Sequence, residues 1–147
     1  RLLREGARVL ASLAAEPGAV ASLLRESAPR ALKHLCRSRA VQSHALAVCA
    51  LGRLARSDDT LLASAGLPRV FCAVASSSVL EARVAAASEM RLLLLLPSRR
   101  PAMLAAGAVK VLLRACDVLN EALKLASLHA LAILLTGAAI PQEAAAA

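Results

Sequence analysis

The sequence predicts an all-α chain stacked as an α-solenoid, with helical units recurring about every forty residues. Three observations carry that expectation. The composition is apolar with almost no aromatics, one helical stripe recurs at near-constant spacing, and a second segment recurs upstream of each later stripe.

Of 147 residues, 59% are hydrophobic, and Phe71 is the sole aromatic. Alanine and leucine make up the apolar mass. That suits closely spaced helices, whereas a β-rich fold would draw on β-branched and aromatic residues. The length suffices for one ordinary core. The chain opens at Arg1 with a helical pattern already running and closes on "QEAAAA". We therefore expect a piece of a longer chain, or a processed one.

The stripe emerges when "GARVLASLA" (6–14), "AVCALGRLA" (47–55), "AASEMRLLL" (86–94) and "SLHALAILL" (127–135) are aligned. Each has a small residue (Gly6, Ala47, Ala86, Ser127), then a large one four later (Leu10, Leu51, Met90, Leu131). A leucine follows three beyond that (Leu13, Leu54, Leu93, Leu134), and the large positions are spaced 41, 39 and 41 apart. On a helix these sites share one face, and the small residue lets a neighbouring helix approach closely.

The second segment reads "SAPRALKHL" (27–35), "AGLPRVFCAV" (65–74) and "AGAVKVLLRA" (106–115). Gly66 and Gly107 fit helix C-terminal caps, and Pro29 and Pro68 fit the first turn of the helix that follows. Shorter helical stretches precede them: "AVASLLRES", "DTLLASA" and "RPAMLAA". Asp58 or Asp59 suits the N-cap of the second. Each unit is then a short, a medium and a long helix. The divisions are 19–58, 59–99 and 100–137, with 1–18 as the last helix of a preceding unit and 138–147 as an alanine-rich tail. "ARSDD" and "LPSRRP" read as linkers.

This pattern resembles the armadillo-repeat family over essentially the whole chain. "SAGLPRVF" and "AAGAVKVLL" resemble its glycine-bearing second-helix start, and "AVCALGRLA" its third-helix signature. HEAT repeats, with two helices per unit, share much of the pattern. The resemblance implies a right-handed solenoid of about three three-helix repeats whose long helices line a concave groove.

That implication bears on the run Leu92–Leu96. A helix packed on one side buries only about three positions in seven, so five successive leucines surround the cylinder. At about 100° per residue, Ala86, Met90 and Leu93 set the core direction. Leu94 and Leu96 then fall on the flanks, and Leu92 and Leu95 on the opposite face, which the resemblance places in the groove. The equivalent positions are Arg53 and Ile133 for Leu92, and Arg56 and Thr136 for Leu95. Cys49, Ser88 and His129 complete the lining, which runs from basic to apolar along the chain. A partner helix or extended segment is expected to cover Leu92, Leu95 and Ile133; flanking repeats or the tail are the other candidates. Recognition of basic nuclear-import peptides is not expected. The resemblance would require groove Trp and Asn residues with acids nearby, and this chain has no Trp.

The formal charge is +8 and the sequence pI about 10.6, a balance that favours an acidic partner. Basic residues recur on the medium helices (Arg30, Lys33, Arg37; Arg69; Lys110, Arg114) and at one long-helix position (His44, Arg83, Lys124). They read either as solvated faces with long stems covering apolar flanks, or as a footprint for RNA or an acidic protein. With no aromatic platforms for base stacking, RNA contact would fall on the backbone. Glu89 occupies the position of Ala50 and Ala130 and has no cation three or four residues away. It is expected to reach a cation on another helix, to edge into solvent, or to meet a partner's cation.

Cys36, Cys49, Cys72 and Cys116 form no C-x-x-C pair and sit among apolar residues, which reads as reduced thiols in an intracellular, most simply cytoplasmic, protein. No phosphate loop, H-E-x-x-H motif, carboxylate cluster or nucleophile motif is present, and no metal or cofactor site is expected. "LASLHALAILLTGAAIPQ" (125–142) lacks charge but contains His129, Gly137 and Pro141, and reads as a solenoid helix, not a membrane span. The expectation is a non-catalytic scaffold that docks a protein segment within a larger assembly. A basic accessory subunit of a ribonucleoprotein is the other reading; neither involves a small-molecule substrate.

Overall fold

The computed structural model describes residues 2–25, 27–64 and 66–146. Side chains are described throughout 27–62 and 66–136, and at most positions before 24. Ten α-helices run α1 (Leu2–Ala15), α2 (Pro17–Arg25), α3 (Ala28–Arg37), α4 (His44–Ser57), α5 (Asp59–Ser64), α6 (Leu67–Ala75), α7 (Leu80–Leu94), α8 (Arg100–Ala105), α9 (Ala108–Cys116) and α10 (Glu121–Ala146). Short 3-10 turns at Val41–Ser43 and Pro97–Arg99 precede α4 and α8. No strand occurs among the described residues, so the chain is all-α. The segment 138–147, read as a tail, continues α10 as far as Ala146, with its side chains outside the described residues.

Helices of 9, 10 and 14 residues (α2, α3, α4) are followed by helices of 6, 9 and 15 (α5, α6, α7) and of 6, 9 and 26 (α8, α9, α10). The long helices pack in succession, α1 on α4, α4 on α7 and α7 on α10. Each medium helix packs on its own long helix, and α3, α6 and α9 also touch in sequence. The stripe residues explain the long-helix contacts. Ala47, Ala86, Leu51, Met90, Leu54 and Leu93 are all fully buried. Small residues such as Ala47 and Ala86 permit close approach of packed helix axes. Toward the ends the stripe loosens: Gly6 and Leu13 are exposed, and Leu10 and Leu131 are half-buried.

The medium helix α6 sits deepest. Leu67, Val70, Phe71 and Val74 are buried, and only Arg69 and Ala73 of its nine residues are exposed. Pro68 takes its second position, where a missing N–H costs nothing, and Pro29 does the same in α3. Gly66 and Gly107 adopt φ of 65° and 88°, the left-handed caps expected between short and medium helices. The first unit makes the same turn at Ser27, with φ of 62°. Serine pays a steric penalty there that glycine avoids, so its residue type does not announce the turn.

The Leu92–Leu96 run departs from the helical-wheel expectation. Helix α7 stops at Leu94, because Leu96 precedes Pro97 and is held extended at φ −92°, ψ 112°. Leu94, expected on a flank, is fully buried within the main hydrophobic cluster. Leu92 and Leu96 are half-buried and Leu95 is 51% exposed.

Ser27→Gly is expected to raise unfolding free energy by about 0.5–1 kcal/mol in urea titrations, and Gly107→Ala to lower it by about 1 kcal/mol or more. Both effects arise from the left-handed backbone alone, as open space surrounds the Gly107 Cβ position.

Candidate interaction surface

The residues expected to line a groove stand on α4 (Cys49, Arg53, Arg56), α7 (Ser88, Leu92), the turn after it (Leu95) and α10 (His129, Ile133). These helices pack in succession, α4 on α7 and α7 on α10, and the structure gathers Cys49, Arg53 and Arg56 around Glu89 of α7. Cys49, Arg53, Arg56, Ser88, Leu92 and Ile133 are half-buried, whereas Leu95 and His129 are exposed.

The basic end of this surface is less free than its charges suggest. Arg56 pairs with Glu89 of α7, and Nη1 of Arg53 donates to the Ala11 carbonyl of α1 at 2.9 Å. Glu89 therefore finds its cation on the neighbouring helix, one of the outcomes open from sequence. Gly52 makes the pairing possible, because a Cβ at that position would overlap the Glu89 carboxylate. Burial raises the Glu89 carboxyl above its ordinary value, and the nearby guanidinium groups of Arg56, Arg53 and Arg91 only partly oppose this. Cys49 lies beside it, its thiol pushed up by burial and then by the Glu89 carboxylate. Burial pushes the Cys36 thiol up to about 12 and raises that of Cys72 as well. These thiols are protonated and poor nucleophiles at neutral pH.

Other cations also turn inward. Nε2 of His44 donates to the Ser38 carbonyl at 2.8 Å, and Nε of Arg83 to the Ala75 carbonyl at 3.0 Å. The recurring long-helix position thus ties down the carbonyl end of the preceding medium helix, where cations are electrostatically favoured. Lys124, its third occupant, is half-buried.

The most heavily bonded side chain lies in a segment that read as a linker. Arg99, 6% exposed, donates to the carbonyls of Ala55 and Arg56 and to Oγ of Ser98, and pairs with Asp59. It closes the C-terminal end of α4 against the start of α5. Asp58 caps α5 by accepting from the Thr60 N–H at 3.0 Å, settling which of the two aspartates does so. The signal for Arg99 was its place one unit after Asp59, at the same linker.

Arg30, Arg37, Arg69, Lys110 and Arg114 are exposed, and Lys33 is half-buried. Arg30, Lys33, His34 and Arg37 line one open hollow beside α3. Arg37 and Arg69 border a smaller one between α3 and α6. Arg30, Arg69 and Lys110 are register-equivalent and form a row across the three medium helices. Among the described residues no group of His, Cys, Asp and Glu could hold a metal ion, and no helix is long and apolar enough to cross a membrane.

The chain is similar to an engineered protein whose crystal structure was solved as a Northeast Structural Genomics Consortium target, with a TM-score of 0.80 and 24% sequence identity. The match covers 88% of this chain and 55% of that one, so the chain spans about half the length of that structure. At this identity the likeness speaks to fold alone. No family model and no curated protein matches the sequence.

Two measurements check the Arg56–Glu89 site. Gly52→Ala is expected to drive Glu89 off Arg56 and destabilise the fold by roughly 1–3 kcal/mol. The raised carboxyl also sets a pH dependence. Its contribution to stability is full below the ordinary value of 4.5 and is lost as pH rises through the higher folded value, because the folded state holds the proton longer. Glu89→Gln should flatten that part of the pH–stability curve in denaturant titrations, with no loss of stability at neutral pH.

Proposed function

We propose that the chain is a non-catalytic, armadillo-like interaction scaffold, three helical repeats stacked as a right-handed solenoid after the last helix of another. A partner's helix or extended segment docks along α4, α7 and α10, within a larger intracellular assembly. One observation carries this reading: Leu95 stands 51% exposed beside half-buried Leu92, with half-buried Ile133 at the equivalent position of the next long helix. Apolar side chains grouped on a rigid helical wall suit an amphipathic segment, whose anchors would fill the spaces between successive helices. Arg56–Glu89 and the Arg53 contact bound the surface at its N-terminal end. With these two arginines held by internal partners, recognition there would rest on apolar contact more than on charge.

The row Arg30, Arg69 and Lys110, with Arg37 and Arg114 also exposed, favours a second reading. In it, the medium-helix side contacts an RNA backbone as part of a ribonucleoprotein. None of these five has an acidic partner among the described residues.

Leu92→Ser with Leu95→Ser should weaken capture of a protein partner by tenfold or more, in a preparation treated with nuclease. That capture should change little as salt rises. Unchanged capture by the double variant contradicts the scaffold reading. Loss of the captured material on nuclease treatment, with steep salt dependence, supports the RNA reading instead.

A further inference from the structure

Two recesses meet at Arg69 of α6, and both lie at internal junctions with described helices on either side. The first, about 120 Å³, opens between α3 and α6 and is bordered by Arg37, Arg69, His44 and Ser77. The second, about 290 Å³, lies between α6 and α8 and is lined by Leu62, Pro68, Ala102, Ala105 and Ala106 beside Arg69. One is cationic and the other apolar, and a single arginine borders both.

Nothing in the first recess offsets its charge. Segments 27–57 and 60–80 supply its lining and contain no Asp or Glu. Arg37 and Arg69 are exposed, and neither has an acidic partner among the described residues. The acids of neighbouring α7 are placed elsewhere: Glu89 meets Arg56, and Glu81 lines a separate hollow with Glu5 and Arg8. His44, only 9% exposed, adds a buried polar wall whose ring is fixed by the Ser38 carbonyl. Arg69 itself stands in the first turn of α6, the positive end of the helix dipole, and that turn holds no acid. An anion bound beside Arg69 would relieve both the side chain and the helix end.

We propose that this junction binds a phosphorylated serine or threonine of an extended partner segment, its phosphate between Arg37 and Arg69 and a nearby aliphatic side chain in the α6–α8 recess. A phosphomonoester carries roughly −1.5 to −2 charge at pH 7 and three acceptor oxygens, which two guanidinium forks can share. A carboxylate offers one charge and two oxygens, a poorer match to two arginines. The apolar recess favours a peptide over RNA, because a nucleotide has no aliphatic side chain to place there. Nor is there a platform for a base: Phe71, the sole aromatic, is fully buried. The site stands on the short and medium helices, apart from the long-helix docking surface.

Fluorescence anisotropy with short labelled peptides tests this, each peptide carrying one phosphoserine and one leucine at varied separation. The best of them should bind roughly tenfold or more tightly than its unphosphorylated version. Arg37→Gln with Arg69→Gln should remove that advantage. Lys110→Gln with Arg114→Gln, an equal loss of charge at other exposed sites, should leave it in place. Ala105→Leu, at an exposed position of α8, should fill the apolar recess and abolish the gain from leucine while the phosphate preference stays. All five sites are exposed, so circular dichroism should show the fold intact. Equal binding with and without the phosphate, equal effects of the two double variants, or a leucine gain that survives Ala105→Leu would each overturn the proposal. Single-stranded RNA that displaces every phosphopeptide and loses its own binding in Arg37→Gln with Arg69→Gln would overturn it in favour of an RNA backbone. Leu92→Ser with Leu95→Ser should leave phosphopeptide binding unchanged, so this site and the long-helix docking surface fail separately.

Discussion

Close contact between α4 and α7 governs this molecule. Ala47 and Ala55 of α4 and Ala82 and Ala86 of α7 are fully buried, and Gly52 of α4 lies directly against Glu89 of α7, so small residues carry much of the packing here. With a single aromatic in the chain, there is little bulk to fill wider gaps. Stability must come from many small contacts in register. A shift of one helix along the other would replace alanine by leucine at the crossing points. The same closeness allows Glu89 to reach Arg56 across the junction, beside the missing side chain of Gly52.

That constraint also organises the charge. A chain of net charge +8 would ordinarily be pictured as a cationic surface, yet His44, Arg53, Arg56, Arg83, Arg99 and Arg100 all donate to carbonyl or carboxylate groups of the fold. Several of these acceptors lie at helix C-termini, where the partial negative charge of unpaired carbonyls is concentrated. In effect, arginine provides helix endings where this sequence has few capping side chains. Arg30, Arg37, Arg69, Lys110 and Arg114 of the medium helices are left outward, on different elements from the leucines of the long helices.

Much of the helix plan was legible because it depends on local signals repeated in sequence. The stripe residues of α4 and α7, the left-handed glycines and the first-turn prolines each leave a mark within a few residues. Ser27 left none, since its conformation follows from the position it shares with Gly66 and Gly107 and not from its own preferences. A wheel drawn on α7 alone marks Leu94 as a flank, because it cannot show that α4, α6 and α10 all pack on this helix and leave that flank buried. Arg99 was passed over because a linker suggests solvent, whereas this one crosses the end of α4. The Arg56–Glu89 pair spans 33 residues and becomes visible only when one long helix is set in register beside the next.

The account depends on α4 and α7 lying in one particular register, and a double-mutant cycle on Arg56→Gln and Glu89→Gln measures this most directly. The stacking described here predicts that the two substitutions are coupled, with the double variant differing from the sum of the singles by about 1 kcal/mol or more in unfolding free energy. Additivity to within about 0.3–0.5 kcal/mol would show that the two side chains do not meet, and would contradict the register on which the proposed docking surface depends.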